Sequence, residues 1–426
     1  MGFFLYNTME IKEIYSLFQE HSTICTDNRK ITKGAIFISL KGENFNGNKY
    51  ALKAIQDGCS YAIVDEKEYD VHQNTILADN ALKTLQDLAT YHRSQLNIPV
   101  IGITGTNGKT TSKELINAVL SSELSCYATK GNLNNHIGVP LSVLEINKQH
   151  EIGIIEMGAN HQNEIEFLCN IAKPTHGVIT NIGLAHLQGF ININGVINTK
   201  KELYQYITNT NGKLFINSDD DILLELADST QKRTYGKKGN VKGIIENNTP
   251  FIKVKYQGTS INSQLIGNFQ FSNIMLAICI ADYFKISTRN IKKGIENYTP
   301  TNNRSQIIKT KNNTLILDAY NANPSSMKAM LLSFSKQGYS NKLCILGDML
   351  ELGKESEKEH QGIILLCTRL NLDCHYIGEE FKKVNKKAFK NRKEFEDKLK
   401  QESISRNTIL LKGSRMIGLE KLVEHL

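Results

Sequence analysis

The amino-acid sequence predicts an α/β protein built from three domains, and three observations carry that expectation. Short apolar runs of strand length alternate with stretches of helical period along the chain, the pattern of βα units and parallel sheets. A glycine-rich turn ending in Lys109-Thr110-Thr111 stands between one such strand and one such helix. The length of 426 residues suits two to four domains at roughly 150 residues each.

The first segment, residues 1–97, carries strand-like stretches at Ala35–Leu40, Tyr61–Val64 and Thr75–Leu77. Asn80–Leu96 reads as a helix: Leu82, Leu85, Leu88 and Ala89 fall near the 3.6-residue period, and Asp79 or Asn80 can cap it. Pro99 opens the second segment, residues 98–299. Val100–Thr104 is a short buried strand and residues 105–108 form a tight turn. Lys109–Ser121 then has helical spacing at Leu115, Ile116, Val119 and Leu120. Ile152–Glu156 and Gly177–Thr180 read as buried parallel strands leading into polar loops, and Phe271–Phe284 as a strongly apolar helix. The third segment, residues 300–426, has strands at Thr314–Asp318, Lys342–Gly347 and Thr408–Lys412, with a helix from about Ser325.

Composition excludes several classes. Hydrophobic residues make up 40% and charged residues 22%, with a net charge of +8. That balance is too mild for a disordered polyelectrolyte and suits an anionic small substrate. No basic stripe with interleaved aromatics is present, so no nucleic-acid partner is expected. No apolar run approaches the ~20 residues that span a bilayer. Residues 1–28 hold an apolar patch at Phe3–Tyr6 but no basic leader or cleavage pattern, so neither a signal peptide nor a membrane partner is expected. None of the eight cysteines forms a CxxC pair. The expectation is reduced, mostly buried thiols in a cytosolic protein.

The turn Gly105-Thr106-Asn107-Gly108 before Lys109-Thr110-Thr111 has the context of a phosphate loop, with Ile103 where the usual pattern has its first glycine. Its backbone N–H groups and the helix N-terminus form an anion nest. Lys109 can reach the β and γ phosphates of a nucleotide, and the Thr110 hydroxyl can bind Mg²⁺. Glu156 ends a buried strand, where open α/β sheets bind ligands, and is a second Mg²⁺ candidate. The alternative is a strand-end carboxylate capping the next helix. His186 repeats that logic one strand later, although a lone histidine is more often structural or solvated than a ligand. Lys200-Lys201 reads as an exposed pair at a helix start, unfavourable near the positive end of the dipole, and is set aside on these grounds.

Longer motifs carry a resemblance. They are Thr26-Asp27-Asn28-Arg29, Lys41-Gly42-Glu-Asn-Phe45, Gly131-Asn-Leu-Asn134-Asn135, residues 156–161 and 181–189, Asp318-Ala-Tyr320-Asn321-Ala-Asn323-Pro-Ser325-Ser-Met, Gly347-Asp348-Met-Leu-Glu351-Leu-Gly353 and Lys412-Gly-Ser-Arg415. With them the chain resembles the Mur ligases, the ATP-dependent enzymes that build the bacterial peptidoglycan peptide. It looks like the member that adds D-alanyl-D-alanine, through the Tyr-Asn-Ala-Asn-Pro and Gly-Asp-Met-x-Glu-Leu-Gly runs. The resemblance implies a UDP-substrate domain (1–97), a central P-loop ATPase domain (98–299) and a C-terminal Rossmann-like domain (300–426). It implies a monomeric cytoplasmic ligase using ATP and two Mg²⁺ ions on UDP-N-acetylmuramoyl-tripeptide, through an acyl phosphate.

By that resemblance Lys109, Lys200, His186 and Glu156 are catalytic. Thr110, Glu156, His186 and a carbamylated Lys200 hold the metals. Residues 105–111, Asn273, Arg304 and Asp318 bind ATP. Thr26, Asp27, Arg29, Lys41, Gly42 and Phe45 hold the UDP end, and Asn134, Asn135, Tyr320, Asn321, Asn323 and Ser325 meet the dipeptide or substrate. The alternatives are another Mur or folylpolyglutamate-type amide ligase and, remotely, a P-loop ATPase or switch protein.

Overall fold

The strand-and-turn pattern condenses into three sheets, seen in a computed structural model that describes residues 9–184, 187–190, 192–227 and 231–426. The first is a parallel sheet ordered Ile24–Cys25, Ile36–Ile38, Tyr61–Val64, Thr75–Leu77, beside a small hairpin of Lys41–Gly42 and Phe45–Asn46. The expected strand at 35–40 is thus only three residues long. Asn80, rather than Asp79, caps the helix Ala81–Ser94 by accepting from Lys83 N at 2.8 Å. That helix does not belong to the first sheet alone. Leu85, Leu88 and Ala89 share a core with Val139, Val143 and Leu168 of the second unit. The buried Arg93 guanidinium donates to the Ala172 and Lys173 carbonyls at 2.9 and 3.1 Å, satisfying a helix C-terminus.

The central sheet has nine strands among the described residues. Their order is Thr259–Asn262, Lys253–Tyr256, Val241–Asn247, Lys232–Gly236, Lys213–Asn217, His176–Ile179, Val100–Thr104, Ile152–Glu156, Cys126–Ala128. The last seven run parallel and the first two are antiparallel additions. The five strands between residues 213 and 262 are ones that periodicity alone leaves unassigned. Four of them, from Lys232 onward, carry polar and exposed positions and so lack the continuous apolar run that marks Val100–Thr104, buried at all five positions; Lys213–Asn217 is itself buried at four of five. Helices Lys109–Leu120, Gln270–Tyr283 and Thr288–Asn297 cover one face. Gly138–Leu144, Glu164–Ala172 and Ile193–Asn209 join Ala81–Ser94 on the other.

The third sheet is ordered Gln306–Lys309, Thr314–Asp318, Thr408–Lys412, Lys342–Gly347, Asp373–Ile377, parallel except for its first strand. The helix expected from Ser325 begins at Pro324, with Asn323 as its cap in a capping box with Ser326. All eight cysteines are free and six of them are buried.

Candidate active site

The strands Ile152–Glu156, Val100–Thr104 and His176–Ile179 are neighbours, so their carboxyl ends deliver three loops to one place. Gly105 has φ +140°, and a Cβ there would sit 2.0 Å from Thr180 Oγ1, so only glycine lets the loop close. The loop is clamped from the next strand end. Thr106 N and Asn107 N donate to Asn181 O and Oδ1, each at 3.0 Å, and Asn107 O accepts from Thr180 Oγ1 at 2.6 Å. Lys109 Nζ arches back over its own loop to donate to Gly105 O at 2.6 Å. Burial pulls its pKa down, with Glu156 opposing that shift.

Glu156 does not cap a helix. It is 2% exposed, and its two oxygens accept from Thr110 Oγ1 at 2.8 Å and Asn134 Nδ2 at 2.9 Å. Cis ligands of an octahedral Mg²⁺ at ~2.0–2.1 Å lie about 2.9 Å apart. The Thr110 and Glu156 oxygens already have that spacing, so this hard-oxygen pair fits the ion. Asn135 Oδ1 accepts from Ile137 N and Gly138 N, turning the chain into the next helix.

Lys200 overturns the expectation drawn from its neighbours in sequence. It lies well inside the helix Ile193–Asn209, not at its start, on the face formed by Val196, Thr199, Leu203 and Ile207. It is buried, and Phe190's ring centroid lies 5.5 Å from Nζ. Among the described residues it forms no ion pair. Desolvation, with a push from Lys109, takes its pKa down to about 7. An amine so placed is substantially uncharged near neutral pH, the form that carbamylation requires. His186 lies outside the described residues.

One cavity of about 740 Å³ gathers residues 105–111, Asn134, Asn135, Glu156, Lys200 and Asn273 from the central unit. From the linker and third unit it gathers Arg304, Asp318, Tyr320, Asn321, Asn323 and Ser325. The Asn273 amide is engaged by Ser112 Oγ at 3.1 Å and Gln270 Oε1 at 2.7 Å. The Arg304 guanidinium lies 3.8 Å from the Tyr320 ring centroid, and its buried Nε has no partner among the described residues. Asp318 is met by Lys412 Nζ at 2.6 Å and Ser305 N at 3.0 Å. Lys412 also lines the cavity. Sequence reasoning left it out of the site although it stands in the quoted Lys412-Gly-Ser-Arg415 run; its place at a strand end was the available signal. The third unit docks directly on the phosphate loop. Asn107 Nδ2 donates to Ser325 Oγ at 2.9 Å, and Asn323 Nδ2 donates to Asn107 Oδ1 at 2.8 Å.

The UDP-site expectations fall elsewhere. A separate cavity of about 400 Å³ is lined by Thr26, Asp27, Asn28, Arg29, Phe45 and Tyr50, the two rings stacked 5.4 Å apart. Arg29 pairs with Asp27 at 2.9 Å, and that hydrogen bond takes the Asp27 pKa down to about 2. Lys41 and Gly42 share the hairpin with Phe45, and Lys41 is turned to Asp65 at 3.0 Å.

A phosphate loop at the strand ends of an α/β sheet, with a second α/β unit docked over it, defines a nucleotide-dependent P-loop enzyme. Residues 103–281 match the Mur ligase middle domain and residues 303–415 the Mur ligase, glutamate ligase domain. The UDP-N-acetylmuramoyl-tripeptide–D-alanyl-D-alanine ligase of Bacillus subtilis (strain 168) is 34% identical over 437 residues, covering 95% of this chain and 92% of that one. The ligase of the same name from Haemophilus influenzae is 31% identical, covering 94% and 92%. A crystal structure of MurF from Acinetobacter baumannii superposes with a TM-score of 0.85 at 29% identity, covering 96% of this chain and 97% of that one. MurF from Thermotoga maritima, solved with ADP, shares the fold at a TM-score of 0.81 and 23% identity, covering 95% and 96%. The chain belongs to the Mur ligase family.

Proposed function

We propose that this protein is an ATP-dependent ligase that joins D-alanyl-D-alanine to UDP-N-acetylmuramoyl-tripeptide in peptidoglycan precursor synthesis. One observation carries the proposal. The phosphate loop, a buried carboxylate and a buried lysine from the central unit face the Tyr320–Ser325 segment of the third unit across a single cavity. The names of the relatives supply the substrates.

The tripeptide carboxylate attacks the γ-phosphorus of ATP, the P–O bond to ADP breaks, and an acyl phosphate forms. The amine of D-alanyl-D-alanine then attacks the acyl carbon and loses a proton, and phosphate leaves with the C–O bond pair. Lys109 swings from Gly105 O onto the phosphates, and the loop N–H groups hold their oxygens. Thr110 and Glu156 would hold Mg²⁺, which when bound would supply charge neutralisation at the phosphoryl oxygens. The third unit positions the amine and excludes water by closing on Asn107.

We also infer a second Mg²⁺ held by Glu156, His186 and Lys200. The neutral Lys200 amine would add to CO₂ and lose a proton, giving a carbamate anion. Asn273, Arg304 and Asp318 are assigned to ATP, and Asn134, Asn135, Tyr320, Asn321, Asn323 and Ser325 to substrate. The cavity at Thr26, Asp27, Arg29 and Phe45, with Lys41 and Gly42 beside it, is assigned to the UDP end. The unit boundaries are placed near residues 97 and 299. We place the enzyme as a monomer in the bacterial cytoplasm, without nucleic-acid or membrane partners. No described helix is long and apolar enough to cross a membrane.

A phosphate-release assay tests the activity. Release from ATP with UDP-muramoyl-tripeptide is expected to depend on added D-alanyl-D-alanine. Release driven instead by glutamate or diaminopimelate would overturn the substrate assignment.

A further inference from the structure

Lys113 is 0% exposed, in the first turns of the phosphate-loop helix. An ammonium withdrawn from water is costly unless its partners use the charge. Its Nζ donates to the backbone carbonyl of Thr129 and lies 2.8 Å from Glu114 Oε1. Thr129 stands one residue past the strand Cys126–Ala128, so its carbonyl is beyond that strand's ladder. Glu156 likewise ends its own strand beyond the last paired residue of that edge, Ile154. Its N–H finds the Thr129 hydroxyl at 3.0 Å. Glu156 Oε2 then accepts from Thr110 Oγ1. Thr110 and Lys113 sit three apart on one helix and so face the same way. The result is a closed hydrogen-bonded ring: helix to Thr129, Thr129 to Glu156, and Glu156 back to the helix.

We propose that Lys113, acting through Thr129, is a positioning residue for Glu156: it fixes the carboxylate at metal-binding distance from Thr110. The proposal rests on the metal role assigned to Glu156 above. Without Lys113 the Thr129 carbonyl loses its donor and that strand end keeps only its bonds to Ile154 O, so the Thr129 hydroxyl that meets Glu156 N is held less firmly. The Thr110 and Asn134 bonds would remain at the carboxylate end, and the pairing with Ile103 would still hold the backbone on the other edge of the strand, but the edge toward Thr129 would be left loose.

The test is Mn²⁺ binding by the full chain with ATP, followed by electron paramagnetic resonance, with thermal melting to verify folding. Lys113→Met is expected to raise the half-saturating Mn²⁺ concentration about tenfold, the scale of lost outer-shell support. Thr129→Val removes the hydroxyl with little change of shape and is expected to do the same; it decides the matter if Lys113→Met does not fold. Folded variants that bind Mn²⁺ like the wild type would reduce Lys113 to a structural part and overturn the proposal. The titration uses no ligase substrate, so a failed ligase assay leaves it readable. A wild type that holds no Mn²⁺ beside ATP would remove the metal role of Glu156 and this proposal with it.

Discussion

Lys200 shows how far burial can change the chemistry of one residue. Its pKa falls from 10.5 to about 7 because desolvation penalises the ammonium. Between those values the unfolded chain holds a proton that the folded one lacks, so stability rises with pH from about 7 to about 10.5. Below about 7 both states are protonated and the full cost of burying the charge remains. Lys200→Met is therefore expected to melt higher than the wild type at pH 6 and to lose that rise, as calorimetry in CO₂-free buffer can measure. Lys200→Ala is expected to abolish ligase activity, with partial recovery on adding short carboxylic acids that stand in for a carbamate. Full activity in the plain variant would end the catalytic assignment. Local pattern set this residue aside, since Lys-Lys has the look of a solvated pair, and only the resemblance singled it out; the phase of the helix is what turns the first lysine inward.

At the scale of elements, the helix Pro324–Lys336 has two jobs at its N-terminus. Asn323 Oδ1 accepts from Ser326 N at 2.9 Å as a cap, while its amide donates to Asn107 in the phosphate loop. The two can be separated. Asn323→Ala is expected to cost about 1 kcal/mol of stability, the usual value of a lost cap. Asn323→Asp keeps the cap and loses the donor, so its melting temperature should stay near wild type while KM for ATP rises. An unchanged KM for ATP in Asn323→Asp would show that the contact with Asn107 is incidental. This double use was half legible. The Asn-Pro-Ser-Ser pattern predicts a helix start from local chemistry, but its partner lies more than 200 residues away.

At the scale of the molecule, the central and third units meet at a close fit. A Cβ added to Gly183 would come 2.9 Å from Ser325 Oγ. The linker that permits this approach holds Asn302, Asn303 and Ser305 at φ +57°, +58° and +52°, conformations that side chains of this kind adopt only sparingly. Ser325→Phe is expected to prop the units apart. Small-angle scattering should then show a larger radius of gyration, and phosphate release should drop at least a hundredfold with the helix content unchanged. An unaltered radius with full activity would mean that docking at Ser325 is dispensable.

The sequence by itself determined the parts whose causes are local. The strands Val100–Thr104, Ile152–Glu156, Thr314–Asp318 and Thr408–Lys412 follow from continuous apolar runs, and the phosphate loop from glycines placed between strand and helix. Only the tertiary structure decided which strand ends lie side by side, that Lys200 and Lys113 are buried, and that Asn323 reaches Asn107. Burial and proximity are set by which faces pack together. Residues such as Thr110 and Glu156, 46 positions apart, come within hydrogen-bonding distance only when the strand before the phosphate loop pairs with the strand that Glu156 ends.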